Sequence, residues 1–301
     1  MNVSAHRLSI ALAGLAMGCL CGAAQAQASS WRSFVSVSPV FEDANLDAGG
    51  GFNVGGAIVR AGTSTDIGDG NRAGLTLSYD YFDYSFDNPT AFGGIAPWNI
   101  VQRYGVSAPL SFTLQDGWSL GIAPSMDWFR ENGASTSDAL VWGASLTATK
   151  RFEEGNFLGL GLAAFSGLEE NQFFPFPIVK WRFSPRWQLI NPLPAGPTGP
   201  AGLELDYLTD SGWTLGVGAA WRKTRFRLSE SGPAANGVGQ VSGAPIFLRA
   251  ARDFEGGYSL NLYAGVVVAG QLRVEDASGN LLRKDDFDTS PIVGANLTLR
   301  F

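Results

Sequence analysis

The sequence predicts an all-β protein, a single antiparallel transmembrane β-barrel of 12–14 strands with fourteen as the best count. Three observations predict this fold. Apolar and polar residues alternate with a period of two in many segments, as in strands with one apolar face. The connections between these segments alternate between long and short. Charged residues make up only 16% of the chain, and after residue 26 no apolar stretch is long enough for a membrane helix.

The first 26 residues are predicted to be a cleavable secretory signal peptide, which leaves residues 27–301 as one barrel domain. A basic start precedes an apolar run from Leu8 to Leu20, and Ala24-Gln25-Ala26 is a small-x-small cleavage pattern. The alternatives are an uncleaved membrane anchor and a lipoprotein modified at Cys19. If the signal is removed, the exported chain contains no cysteine and can form no disulfide.

The only histidine, His6, and the only cysteines, Cys19 and Cys21, lie in this predicted signal. The exported chain then lacks the residues of disulfides, Cys/His metal sites and Ser-His-Asp triads. Acid–base chemistry near neutral pH mostly relies on imidazole. The sequence therefore predicts no enzyme, no metal site and no cofactor. A paired-carboxylate hydrolase around residues 285–288 is the alternative, against a solvated acidic loop.

Fourteen segments of the exported chain have the length and alternation of strands. In order they cover residues 31–41, 52–61, 72–82, 101–114, 118–129, 139–151, 157–167, 176–183, 186–190, 202–208, 213–228, 242–252, 258–274 and 289–301. Many reach the ~9–11 residues that a strand needs to span a bilayer. The pair in 176–190 is the weakest, because it is short and surrounded by prolines, and without it the count is twelve.

The connections sort by length along the chain. Those after odd-numbered strands are long, namely 42–51, 83–100, 130–138, 168–175, 191–201, 229–241 and 275–288. Those after even-numbered strands are mostly tight, and 62–71 is the exception. Long loops on one side and short turns on the other are typical of outer-membrane barrels. Both termini are then expected on the short-turn, periplasmic side.

Aromatic residues near strand ends predict two membrane interfaces. Trp118 and Trp128 share a face ten residues apart, which in a tilted strand is roughly 25 Å along the membrane normal. The predicted aromatic girdle consists of Tyr79, Tyr81, Trp118, Trp128 and Tyr258. The alternative is a set of ordinary core aromatics in a soluble β-protein.

The opposite face carries charges within the strand pattern. Buried charges without partners are costly, so this face should be wet or densely paired. The candidate lumen-facing residues are Asp80, Asp127, Lys180, Arg182, Glu204, Asp206 and Arg300. A soluble sheet with a solvent face is the alternative.

The last residues and one basic run suggest partners. An alternating strand that ends in Leu297, Leu299 and Phe301 is similar to the C-terminal signal that the barrel assembly machinery reads. The basic run 222–227 could meet lipopolysaccharide phosphates at the outer leaflet or attract anions to a mouth. Net charge is −6 and no basic cluster of the kind that binds nucleic acid is present. Outer-membrane lipid and lipopolysaccharide are the expected partners.

The C-terminal half resembles Gram-negative outer-membrane β-barrels, and in particular an uncharacterised barrel family of unknown function. The resemblance rests on Phe176–Trp181, Trp187–Leu189, Gly202–Tyr207, Trp213 and Arg225–Leu228. It implies the barrel fold and an outer-membrane location in a Gram-negative bacterium. It implies no activity.

Two functions remain open from the sequence. The first is a passive pore for small solutes, with lumen charges setting ion preference. The second is a closed structural or surface-interaction barrel without transport or catalysis. The connection 83–100, with Phe86, Phe92 and Trp98, is the best candidate for a plug in the lumen.

Overall fold

The computed structural model describes residues 31–193, 198 and 201–301, so the predicted signal peptide lies outside the described residues. Strand segments form one sheet that closes on itself. They are β1 (Trp31–Asn45), β2 (Gly51–Gly68), β3 (Asn71–Asp87), β4 (Ile100–Ser107), β5 (Leu110–Thr113), β6 (Trp118–Glu131), β7 (Leu140–Arg151), β8 (Phe157–Gly167), β9 (Glu170–Arg182), β10 (Trp187–Ile190), β11 (Ala201–Leu208), β12 (Trp213–Arg227), β13 (Val238–Asp253), β14 (Tyr258–Glu275), β15 (Leu281–Phe287) and β16 (Ser290–Arg300). Single 3-10 turns occupy Thr90–Phe92, Gln115–Gly117, Ser137–Ala139 and Glu153–Gly155.

Two pairs of consecutive segments are each one interrupted wall strand. β4 and β5 both pair with β3 and β6, and the break between them contains Pro109, which has no N–H for the ladder. β15 and β16 both pair with β14. The wall therefore has fourteen antiparallel strands and closes between β1 and β16. The predicted closed barrel and its best count are confirmed, and β9 and β10 are both wall strands.

Tight connections lie at one end of the barrel. The exception expected at 62–71 is wrong: β2 and β3 continue through it and join at Asp69-Gly70. Both turn residues have positive φ, 52° and 75°. This is the backbone that suits the twist of a two-residue hairpin. The described chain starts and ends at this short-turn end, where Ser33 and Phe301 exchange backbone hydrogen bonds.

Several connections at the other end are shorter than predicted. Residues 170–175 belong to β9, which follows β8 after the two-residue turn Leu168-Glu169. Residues 281–287 form β15, which pairs with the upper part of β14. The predicted loops 168–175 and 275–288 are therefore mostly strand. They form the long-loop ends of wall strands, where the backbone groups of their polar residues are paired in the ladder.

The register separates an outer and an inner face. On the outer face, large apolar side chains are exposed, from Leu160 at 70% and Leu248 at 64% to Leu120 at 44%. No helix in the described part of the chain is long and apolar enough to cross a membrane. The apolar exterior is formed by the outward side chains of the strands. Because side chains alternate along a strand, the polar side chains point to the inside.

The interior has two different halves. Polar side chains such as Ser36, Ser38, Asn261 and Asn296 are buried in the short-turn half. An apolar cluster fills the long-loop half, centred on Trp98 and Phe226. Polar networks and an apolar plug therefore share one barrel.

The wall is thinnest at β10. This strand has four residues, and only Gln188, Leu189 and Ile190 have register partners on β9. Among the described residues, the same edge of β9 has no strand partner between Glu170 and Phe176. The side chain of Asn191 extends the contact by bridging the backbones of β9 and β11.

Candidate functional site in the barrel lumen

One inner wall carries alternating arginines and aspartates on β2, β3, β4 and β6. Arg103 donates to Asp127 at 2.8 Å and lies 3.4 Å from Asp80, which also pairs with Arg60. Gly105 leaves the space for this row, because a Cβ there would collide with Asp127. Two cations face two carboxylates, so this wall is electrically balanced.

The facing wall is organised around Arg249 on β13. Its guanidinium pairs with Glu204 and lies 3.0 Å from Asp206 Oδ1, and it donates to Asn261 Oδ1 at 2.8 Å. All four residues are buried. Gly216 lies between them in the register, where a side chain would meet Glu204. Two carboxylates against one arginine leave this wall with one formal negative charge.

An apolar cluster, called the plug below, lies in the lumen toward the long-loop end. Trp98 is 1% exposed, and its ring meets that of Phe226 edge-on at 5.1 Å. Phe86 lies 5.5 Å from the same indole, and Phe92 belongs to the same cluster. Glu131 ties the plug segment to the wall by accepting from the backbone N–H groups of Asn99 and Ser229. The three aromatics of the predicted plug loop therefore lie inside the long-loop half.

An ionic latch, defined as Glu169 and Glu170 with Lys223, Arg225 and Arg227, joins two parts of this end. Glu170 lies 3.1 Å from both Lys223 and Arg225, and Glu169 lies 2.7 Å from Arg227. The latch connects the β8–β9 turn to the upper part of β12 across the short β10 and β11. It uses the basic run that the sequence assigned to lipopolysaccharide phosphates or an anion-attracting mouth. Glu42 pairs with the remaining member, Arg222.

Not all of the lumen is packed. A cavity of about 220 Å³ lies on the inner face between β3 and β8. Ser78, Ser107, Ser125 and Ser145 line it together with Arg103 and the Phe165 ring. Small hydroxyl side chains leave this space open, and a guanidinium and an aromatic ring border it. The pocket can hold a small polar or aromatic group.

Cations without ion pairs lie below this cavity at the short-turn rim. Arg151, Phe157 and Lys180 are register neighbours on β7, β8 and β9, and Arg182 follows two residues later on the same face. All three cations are exposed. Within the described part of the chain, none has an acidic group in ion-pair distance. A larger, open cavity of about 730 Å³ at this rim contains Arg151 together with Glu153 and Glu154 of the next turn.

The predicted lumen residues thus share the inner face in the register but differ in their surroundings. Asp80, Asp127, Glu204 and Asp206 are buried in ion networks. Lys180 and Arg182 are exposed at the rim. Arg300 is also exposed and lies 3.7 Å from Asp253. The structure brings the acidic residues together with arginines and leaves two basic ones open.

The predicted girdle residues lie on the outer face. Trp118 is 45% exposed beneath the Lys150 ammonium, and Tyr258 is 46% exposed, both at the short-turn end. Tyr79 packs against Tyr104 with ring centroids 5.2 Å apart. Tyr81 and Trp128 are half-buried on the same face. Leu297, on the same face, and the terminal Phe301 are exposed, whereas Leu299 is half-buried.

The arginine partners were missed by the sequence reading. Arg60, Arg103 and Arg249 each lie at inward positions of alternating segments, and Arg60 and Arg103 are each followed two residues later by an inward glycine. That position was a usable signal, since an arginine on a lumen face requires a carboxylate on a neighbouring strand. Strand pairing was needed to identify which carboxylate. Among residues 31–193, 198 and 201–301 there is no cluster of three His, Cys, Asp or Glu side chains suited to a metal ion.

No family model and no curated protein matches this sequence. Solved barrels are similar in structure at low identity. The toluene transporter TodX of Pseudomonas putida aligns with a TM-score of 0.45 and 9% identity over 91% of this chain and 90% of its own. The translocator domain of the autotransporter NalP of Neisseria meningitidis gives 0.35 and 12% over 90% and 89%.

LpxR from Salmonella typhimurium is a third similar structure, with a TM-score of 0.37 and 9% identity over 89% of this chain and 99% of its own. At these values the similarities carry no functional weight. The fold assignment rests on the closed ladder of this chain, which is the architecture of outer-membrane β-barrels.

Proposed function

We propose that this protein is a gated channel for small solutes in the outer membrane of a Gram-negative bacterium. The apolar outer face supports insertion in lipid, and the short-turn end, which holds Phe301, then faces the periplasm. Outer-membrane lipid and lipopolysaccharide are its surroundings, and the barrel assembly machinery is its partner during insertion. None of this requires catalysis.

One observation carries the channel proposal: the inner face of β7, β8 and β9 has exposed side chains at the rim and the serine-lined cavity farther in. Phe174 points inward yet is 38% exposed, and Lys180 and Arg182 are exposed below it. A purely structural barrel gains from filling its interior, as the Arg249 wall does. The open wall leads from the short-turn mouth to the plug.

The plug makes the channel gated. Trp98 and Phe226 close the path in the long-loop half, so solutes pass only when this contact opens. The alternative, a closed barrel without transport, is favoured by the same plug and by the pairing of the buried carboxylates. The two functions differ in whether the plug can be displaced.

Planar-bilayer recording of the refolded protein tests the proposal. We expect brief, infrequent conductance steps from the wild type and longer openings from the Trp98→Ala, Phe226→Ala double variant. Trp118→Ala on the outer face is the matched control and should behave as the wild type. If both the wild type and the double variant insert stably without any conductance step, the channel proposal is wrong.

A further inference from the structure

The open inner wall combines two features that point to one class of ligand. Along β9 the inward residues are, in order toward the rim, Phe174, Phe176, Ile178, Lys180 and Arg182. Aromatic and aliphatic side chains thus give way to cations within one strand face. We propose that this wall binds small organic anions with an apolar tail, such as aryl-alkanoates. This deepens the proposed channel function and rests on it for transport, but not for binding.

The apolar part of the site is preformed. Phe174 lies 6.4 Å from Phe165 and 6.1 Å from Phe176 between ring centroids, so the three rings form a ladder. The Phe176 ring lies against Gly161, where any Cβ would collide with it. The ladder therefore keeps one side against the wall, while Phe174 remains partly exposed to the lumen. Exposed aromatic faces in a cavity are suited to an apolar ligand.

The charged part of the site is unsatisfied. Arg151, Lys180 and Arg182 carry three positive charges on the inner face, whereas the buried arginines of the lumen are already paired with carboxylates. Asp116, Glu153 and Glu154 share the rim cavity with Arg151 but belong to turns. A carboxylate in the lumen can accept charge-assisted hydrogen bonds here without displacing a protein partner.

The spacing limits the size of the ligand. Four residues separate Phe176 from Lys180, which is about 13 Å along a strand at ~3.3 Å per residue. The extended Lys180 side chain covers part of this distance, so a carboxylate at its ammonium and a ring at Phe176 are joined by a short alkyl chain. Acetate is too short to contact both the cations and the aromatic rings. An amine of the same shape as the anion is repelled by the cations.

The test measures binding by equilibrium dialysis of the full chain in lipid nanodiscs with 4-phenylbutyrate, butyrate and 4-phenylbutylamine, corrected for empty nanodiscs. We expect saturable binding of 4-phenylbutyrate alone. The Lys180→Gln, Arg182→Gln variant should bind at least about tenfold more weakly, since losing charge-assisted bonds of this kind costs that much or more. Arg252→Gln removes one charge at an outward position of β13, away from this wall, and should leave binding unchanged. Phe176→Leu should weaken 4-phenylbutyrate several-fold.

Two outcomes would overturn the site. Equal binding of 4-phenylbutyrate to the wild type and the Lys180→Gln, Arg182→Gln variant would show that the cations do not bind the ligand. Equal binding of butyrate and 4-phenylbutyrate would show that the aromatic ladder does not. Heat-modifiable mobility of each variant on gels verifies that the barrel is folded. Binding without conductance would refute the channel proposal and support the binding site. Conductance without binding would support the channel and refute the binding site.

Discussion

Arg249 is the residue on which the buried polar groups of one lumen wall depend. It serves Glu204, Asp206 and Asn261 at once, and Glu204 keeps a second carboxylate oxygen that is buried without a hydrogen-bond partner. Removing the arginine leaves two carboxylates facing each other in a dry wall. Such an uncompensated pair is far more costly than the absence of the whole network.

We therefore expect Arg249→Met to destabilise the barrel by about 3–5 kcal/mol, as for other broken buried ion pairs. Urea unfolding in detergent, followed by loss of heat-modifiable mobility, measures it. Arg252→Met on the outer face is the control and should change little. Adding Glu204→Leu and Asp206→Leu to Arg249→Met should recover most of the loss. A lasting loss in this triple variant would mean that the network stabilises the fold by more than pairing.

Asp285 gives the molecule a pH-dependent position at the long-loop end of the barrel, beyond the part of β14 that pairs with β16. It lies on β15, above the last β14–β16 pair, and is buried. Burial raises the pKa of its carboxyl above the ordinary value, and Asp47 and Asp286 raise it further, against a hydrogen bond from the Ala48 N–H at 3.2 Å.

A raised carboxyl pKa in the folded state means that folding takes up protons between the unfolded and folded pKa values. Its contribution to stability is thus lost as pH rises through that window. Asp285→Asn should raise the unfolding midpoint at pH 7 and lose this advantage in acid, as unfolding curves between pH 3 and 7 would show. Asp276→Asn is the contrast, because hydrogen bonds from Asn280 and Ser278 lower the pKa of Asp276. It should lower the midpoint at pH 7, and identical profiles for both variants would contradict this account.

At the scale of elements, the latch holds the β8–β9 turn against β12. Its ion pairs are partly exposed on the glutamate side, 36% and 37%, and nearly buried at Arg225 and Arg227. Half-buried pairs of this kind are worth more than surface pairs because less water screens them. The latch sets how easily the upper strands separate from the wall.

Glu169→Gln with Glu170→Gln should therefore loosen the upper part of β12. We expect hydrogen exchange of backbone amides in residues 222–227 to speed up roughly tenfold, which corresponds to ~1.4 kcal/mol of local opening. Asp210→Asn breaks the exposed Arg186–Asp210 pair at the other end and is expected to change nothing. Unchanged exchange at 222–227 would show that the backbone ladder alone holds this region.

The elements also show what the sequence could predict. Alternation identified all fourteen wall strands, including the proline-flanked pair that was least certain. The sequence predicts loops at 168–175 and 275–288, whereas most of these residues extend neighbouring strands. Residues 169–172 and most of 275–288 are polar or charged, so the apolar alternation that marks a membrane strand is absent there. The ion pairs were beyond sequence reading because they join strands that are distant in the chain.

At the scale of the whole molecule, the question is whether water or lipid surrounds the outer face of the barrel. Leu248 is 64% exposed at an outward position in the middle of β13. In water such an exposed leucine tolerates substitution, whereas near the bilayer midplane a charged residue is costly.

Leu248→Arg should destabilise the protein in lipid bilayers by about 2–4 kcal/mol. Folding titrations in large unilamellar vesicles measure this free energy. In a separate experiment, deletion of Phe301 should reduce the fraction of the protein that cells insert into the outer membrane. Asp83→Arg, at an outward position near the long-loop end, is the matched control with a smaller expected effect. A soluble periplasmic protein with equal stability of Leu248→Arg and wild type would refute the membrane assignment.

The short β10 has a mechanical consequence. A cylinder under lateral pressure splits first where its wall has the fewest cross-links, and here that line runs between β9 and β10, with three register pairs. Above it, Glu170 on one side and Lys223 with Arg225 on the other act as a clasp over the line. If the barrel widens to admit a solute, the strain should concentrate along this seam, next to the aromatic ladder, and leave the rest of the wall intact.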